Sequence, residues 1–237
     1  MQIGEIYALG THRLMCGDAT NRDDVMRLIG NEHINLVLTD PPYGIKSVDR
    51  KTGQVGSQSQ KYHECIGDWN RDMFIDSYRI LRGLSNALII WGGQNFTDIL
   101  PPTCGWLFWD KEKGTDKLSF GDGELAWSNV STKIRKYSHK WNGFTRAGNP
   151  ELNKKIHPNQ KPIELHMKIL EDFTQPNDII LDCFGGSGTT LIACAMTGRK
   201  CLMMEISPEY CDIIIERYEK LLPMMNVERI ASNGQRE

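Results

Sequence analysis

What the chain lacks narrows its class first. Its seven cysteines are odd in number, and no two are spaced as Cys-x-x-Cys. That argues against a disulfide or zinc framework and for buried free thiols in a reducing compartment. No metal site is expected. No run approaches the ~18 apolar residues that a membrane helix needs. The start, Met-Gln-Ile-Gly-Glu, has no basic stretch followed by an apolar one, so no signal peptide is expected. Internal repeats and low-complexity tracts are absent too. These absences leave a cytoplasmic globular protein without a membrane partner, one large domain or two small ones in 237 residues. Two phosphate signatures are also missing. The pattern G-x-x-x-x-G-K-[ST] does not occur, and G-x-G-x-x-G fails because Leu191 stands where the third glycine after Gly186 and Gly188 belongs.

Charge is present but unevenly placed. The chain has a net charge of −2, yet residues 131–161 carry +7 and the remainder −9. Lys133, Arg135, Lys136, Lys140, Arg146, Lys154, Lys155 and Lys161 supply the positive stretch, and only Glu151 opposes them. Tyr137, Trp141 and Phe144 lie among them. A basic segment on an acidic body suggests one face for a polyanion, and aromatics are what unstacked bases pack on. A solvated basic loop is the plainer alternative.

Periodicity alternates between strand and helix. Strands are predicted at residues 12–16, 35–39, 87–91, 106–110, 124–128, 179–181 and 201–204, with 106–110 and 124–128 a candidate hairpin. Helices are predicted from a cap at Thr20 or Asn21 to about 29, at 70–84, from Pro162 to about 173, at 190–196 and from the Ser207 cap onward. Alternating strands and helices with buried strands imply an α/β domain with a mostly parallel sheet. Residues 45–68 read as a long mobile loop, and those after about 223 as a frayed tail.

Two strand ends carry chemistry. Asp40-Pro41-Pro42-Tyr43 follows a buried strand. Two prolines force a rigid turn there, holding a carboxylate, carbonyls of fixed direction and an aromatic ring together. Such a turn can bind an amino group and stack on a planar base, or it can simply end a strand. Asp182-Cys183-Phe184-Gly185-Gly186-Ser187-Gly188-Thr189-Thr190 follows another strand. Its glycines allow a sharp turn and close approach to a ligand. Glu205 ends the next strand, where an acidic residue commonly holds ribose hydroxyls. No Lys or Arg lies between Asp182 and Gly198 to meet a phosphate. A cofactor with a cationic or amine-bearing end fits, and S-adenosylmethionine has both.

With these motifs the chain resembles the β-class DNA amino-methyltransferases. Asp40-Pro41-Pro42-Tyr43 matches their catalytic motif. Asp182–Thr190 matches their D-P-F-x-G-S-G-T-T loop with Cys183 for Pro. His157-Pro158-Asn159-Gln160-Lys161-Pro162 matches H-P-T-Q-K-P with Asn159 for Thr, and Cys16-Gly17-Asp18 matches the strand whose Asp meets the cofactor's adenine. The similarity spans roughly residues 3–220. It implies a permuted Rossmann-like, S-adenosylmethionine-dependent methyltransferase fold: a seven-stranded, mostly parallel sheet with helices on both faces. A single methyltransferase domain would cover 1–225, with 131–156 a small DNA-recognition insertion and 226–237 a tail. Asp40, Pro41, Pro42 and Tyr43 would be catalytic, Asp40 and Pro41 accepting hydrogen bonds from an adenine N6 amine and Tyr43 stacking on the flipped base. Asp18, Ala19, Lys161, Asp182, Phe184, Gly186, Ser187, Gly188, Thr189 and Glu205 would hold the cofactor, with Lys161 on its carboxylate. Lys133, Arg135, Lys136, Lys140, Trp141 and Arg146 would meet double-stranded DNA. His157 is expected to be structural, and Trp109-Asp110-Lys111 either lines the target pocket or is an exposed strand end. A cytosine-N4 enzyme, an RNA substrate, an inactive DNA-binding or regulatory protein, a homodimer and a cognate restriction enzyme all stay open. The cellular setting implied is cytoplasmic, nucleoid-associated in a prokaryote or phage-encoded.

Overall fold

Side chains along the central strands alternate between two buried faces. Leu36 and Leu38 join one core with Ile89 and Trp91, while Val37 joins a second with Leu88 and Ile90. A strand buried on both sides belongs in the middle of a sheet covered by helices. The structure, a computed structural model, describes residues 1–43, 71–112, 121–142, 145–149, 156–157 and 159–230, with the side chains of Asn142, Thr145 and Arg146 left out. The loop expected at 45–68 lies outside the described residues, as do Phe144, Lys154, Lys155 and Pro158.

In chain order the strands are β1 (Ile6–Leu9), β2 (His12–Cys16), β3 (Leu36–Thr39), β4 (Leu88–Trp91), β5 (Gly105–Asp110), β6 (Gly123–Ser128), β7 (Arg135–Ser138), β8 (Trp141–Asn142), β9 (Thr145–Arg146), β10 (Ile179–Asp182), β11 (Lys200–Glu205) and β12 (Val227–Ile230). The helices are α1 (Arg22–Ile29), α2 (Arg71–Leu81), α3 (Ile163–Phe173), α4 (Thr189–Met196) and α5 (Pro208–Leu221). Among the described residues one sheet holds ten strands in the order β12-β1-β2-β11-β10-β3-β4-β6-β5-β7, and β8 pairs with β9 in a second sheet. From β2 to β4 the five neighbours run parallel. Helices α1 and α2 pack on one face and α3, α4 and α5 on the other. The α/β class and the helices on both faces are as expected.

The strand count is not. Ten strands replace seven because β1 and β12 extend one edge and β7 the other. Residues 227–230, expected in the tail, pair antiparallel with β1, placing Arg229 opposite Tyr7. They cover N–H and C=O groups that an edge strand would otherwise leave open. Strand β7 lies inside the expected recognition insertion and is bonded in parallel to β5. Asn21, rather than Thr20, caps α1, its side chain accepting from the N–H groups of Asp23 and Asp24. Ser207 caps α5 with Pro208 in the first turn, and Pro162 stands just before α3. Among the described residues no helix is long and apolar enough to cross a membrane.

Candidate active site

The five parallel strands end on one edge, and the expected site residues fall along it in order. Asp18 follows β2, Glu205 ends β11, Asp182 ends β10 and Asp40 follows β3; Gly92, which was not among the expected residues, follows β4. From β10 the chain passes through α4 to β11 on one side. From β3 it passes through α2 to β4 on the other. The tips of β10 and β3 therefore flank a topological switch point, where open α/β sheets bind ligands. Residues far apart in sequence meet there. Thr39 Oγ1 donates to Asp182 Oδ1 at 2.8 Å.

Asp40 sits in a charged cluster. The Tyr43 hydroxyl donates to its Oδ1. Lys161 Nζ donates to its Oδ2 at 2.5 Å and lies 3.0 Å from Glu124 Oε2. Lys111 Nζ donates to the other Glu124 oxygen at 2.5 Å. The Lys161 side chain is 5% exposed, against 22% for Asp40 and 33% for Glu124. Burial alone would lower the Lys161 pKa, but Asp40 and Glu124 outweigh it and lift it well above the usual lysine range. Burial also works to raise the Glu124 carboxyl, and Lys161 and Lys111 outweigh it, holding it at about 2. Burial and then the Asp40 carboxylate push the Tyr43 phenol up, so Tyr43 stays a proton donor. The Lys161 ammonium also lies 5.4 Å from the centre of the Trp91 ring. Lys161 was expected on a cofactor carboxylate; here its partners are protein carboxylates, which a buried ammonium requires. The Tyr43 ring packs edge-on to Phe96 and over Gly92, whose absent Cβ makes room for it.

The glycine loop is held from both sides. Gly186 N donates to Glu205 Oε2 at 2.7 Å, and Ser207 N to Oε1 at 2.9 Å. Gly188 has φ +76°, and a Cβ there would sit 3.0 Å from Ile214. Arg217, buried on α5, donates to the Ser187 carbonyl at 2.7 Å, and Thr189 Oγ1 donates to the Lys161 carbonyl at 3.1 Å. Asp182 lies beneath the loop, 4% exposed. It accepts from Thr39, Thr190 and the Phe184 N–H, yet burial dominates and raises its carboxyl to about 7. Thr190 in turn meets His166 Nδ1 at 3.1 Å. Asp18 accepts from the N–H and the hydroxyl of Thr20, both at 2.8 Å, and Ala19 is buried behind it. Carboxylates at two strand ends, a tight glycine turn between them and no lysine or arginine in the loop form a donor set that suits a nucleoside with an amine-bearing end.

The basic segment is less open than its sequence promises. Trp141 is buried in the core and offers no ring to a base, and Tyr137 is buried with its hydroxyl on Asp172. Arg135 pairs with Asp172 at 3.3 Å and Lys136 with Asp110 at 2.7 Å. Lys133 and Lys140 are exposed, and among the described residues neither pairs with a carboxylate. The Arg146 side chain lies outside the described residues. Trp109 is buried, donating to the His139 carbonyl. His157 accepts from Asn159 N and packs on Tyr210. Sequence reasoning missed Glu124, Thr39, His166 and Arg217, each of which acts through a partner distant in the chain and stands in no motif. Thr190 closes the glycine motif, but its bond to Asp182 beneath the loop was not foreseen.

The profile of the DNA methylase family matches residues 94–216. Type II methyltransferase M.HpaI of Haemophilus parainfluenzae is 26% identical over 241 residues, covering 87% of this chain and 74% of the relative. Among solved structures, the M1.HpyAVI–SAM complex is similar at TM-score 0.56 and 22% identity, covering 86% of this chain and 97% of the other. The cytosine-N4-specific PvuII DNA methyltransferase is similar at TM-score 0.58 and 17% identity, covering 94% and 95%. At these identities the two structures establish the fold.

Proposed function

The chain belongs to the DNA methylase family, and from that membership we propose that it transfers a methyl group from S-adenosylmethionine to the N6 amine of an adenine in DNA. The observation that carries this reading is Asp40 at the switch point beside the glycine loop, its carboxylate partly exposed. A carboxylate has about four acceptor positions. Tyr43 and Lys161 take two of them, leaving capacity for amine hydrogens. An exocyclic amine is a weak nucleophile because its lone pair is delocalised into the ring. Asp40 and the Pro41 carbonyl would accept its hydrogens and favour a pyramidal nitrogen. Pro42 would keep that turn rigid. Positioning and electrostatics supply such catalysis without a covalent intermediate. The bound cofactor would supply an electrophilic methyl group on its sulfonium. Asp18, Ala19, Phe184, the turn from Gly186 to Thr189 and Glu205 would hold it, with Asp182 fixing the loop from below. The target base must leave the duplex to reach this edge.

Asp40 favours adenine, because the resembling cytosine enzymes more often carry Ser there. The likeness to a cytosine-N4-specific enzyme keeps cytosine as the second reading. Incubating the protein with duplex DNA and labelled donor, then analysing nucleosides by mass spectrometry, tests both. N6-methyladenine is expected, and N4-methylcytosine alone would overturn the assignment. Asp40→Ala should abolish transfer while calorimetry still detects donor binding; wild-type transfer by that variant would refute the mechanism.

A further inference from the structure

We propose that Glu124 is a positioning residue of this site: a second carboxylate for Lys161, which lets that ammonium give up Asp40 when a target amine arrives. The inference rests on the reading of Asp40 as the amine's acceptor. Both Asp40 oxygens already accept a hydrogen bond, one from Tyr43 and one from Lys161. An amine entering the site is a neutral donor, and the charged donor on the same carboxylate is the stronger competitor. A buried ammonium stripped of its sole carboxylate would be strongly disfavoured, so Lys161 would not yield. Glu124 changes that balance. Its Oε2 is 3.0 Å from the same Nζ, so Lys161 keeps a carboxylate whether or not it stays on Asp40. Lys111, on the other Glu124 oxygen at 2.5 Å, holds that carboxylate in place and ionised. Glu124 is the second residue of β6, two strands from Asp40 across the edge, so its backbone is fixed by the sheet rather than by a loop.

The test uses the full chain, duplex DNA and labelled S-adenosylmethionine, with calorimetric donor binding to verify that each variant is folded. Glu124→Gln should lower kcat by at least about tenfold while the donor Kd stays within about twofold. Glu124→Asp, which keeps the charge, should hold kcat above that of the glutamine variant. In a Lys161→Gln background, adding Glu124→Gln should change kcat by less than about twofold, because two residues acting through one interaction are not additive. Wild-type kcat in Glu124→Gln overturns the proposal. So does a loss of equal size in the Lys161→Gln background, which would mean that Glu124 acts on the fold alone. Absence of transfer by the wild-type chain would bring down the functional reading and this inference together; indifference to Glu124 in an active enzyme brings down only the inference.

Discussion

Asp182 shows how one residue of a motif can serve as a support. The sequence places it where a ligand would bind, yet its oxygens accept from Thr39, Thr190 and the Phe184 N–H. Burial raises its carboxyl from 3.8 to about 7, so the folded protein holds the proton more tightly than the unfolded chain. The corresponding stability is fully present below pH 3.8 and is lost as pH rises through about 7. Over that window the loss approaches about 1.4 kcal/mol per pH unit. His166 works the other way. Burial, with Lys161 adding to it, lowers its pKa to about 3, so its contribution falls as pH drops below 6.5. Urea unfolding of wild type and Asp182→Asn between pH 5 and 8 should separate the two. The difference between them should move in favour of the variant as pH rises. A pH-independent difference would show that the buried carboxylate is ionised at all these values.

At the level of elements, the parallel strands and their helices were legible because buried alternation and capping residues are local signals. Asn21, Ser207 and the Pro-Pro turn each act within a few residues of themselves. What escaped depends on distant partners. Lys161 reaches Asp40 across 121 positions, and β12 needs β1 to become a strand. The Asp-Pro-Pro-Tyr turn and the glycine loop were visible as motifs, whereas Glu124 looked like any strand start. Gly92 belongs to the same group. It follows β4 with φ +67°, and a Cβ there would lie 1.9 Å from the Tyr43 ring. Gly92→Ala should therefore push Tyr43 away from Asp40. It should lower kcat by about tenfold or more and cost about 1–3 kcal/mol of stability from the left-handed backbone. Unchanged kcat in that variant would show that Tyr43 need not hold its place. Deleting residues 224–237 should uncover the β1 edge and remove the Gly10 N–H bond to the Asn226 carbonyl. The melting temperature should then fall by several degrees, at roughly 2–4 °C per kcal/mol for a chain of this size. An unchanged melting temperature would return β12 to the status of a loose tail.

For the molecule as a whole, permuted order and uneven charge meet at one edge. The Asp-Pro-Pro-Tyr turn precedes the glycine loop by 142 residues in sequence, yet parallel pairing of β10 with β3 sets the two strand ends side by side. Strand β7 runs parallel to β5 and, through β6, to β4, so Lys140 just past its end lies at the edge where Asp40 stands, and Lys133 before its start lies toward the opposite edge. DNA bound there should be gripped by cations that keep their charge available. Lys133 and Lys140 are exposed, whereas Lys136 is balanced by Asp110 at 2.7 Å and Arg135 by Asp172 at 3.3 Å. Each phosphate neutralised adds about 0.9 to the slope of log affinity against log salt. Replacing Lys140 with alanine should reduce that slope by up to about 0.9 and weaken all sequences alike, while Lys133→Ala should change it less. Lys136→Ala should change it by less, because displacing Asp110 offsets part of the phosphate contact. Fluorescence anisotropy with a labelled duplex at several salt concentrations measures both slopes. An undiminished slope in Lys140→Ala would move the DNA-binding face away from this segment.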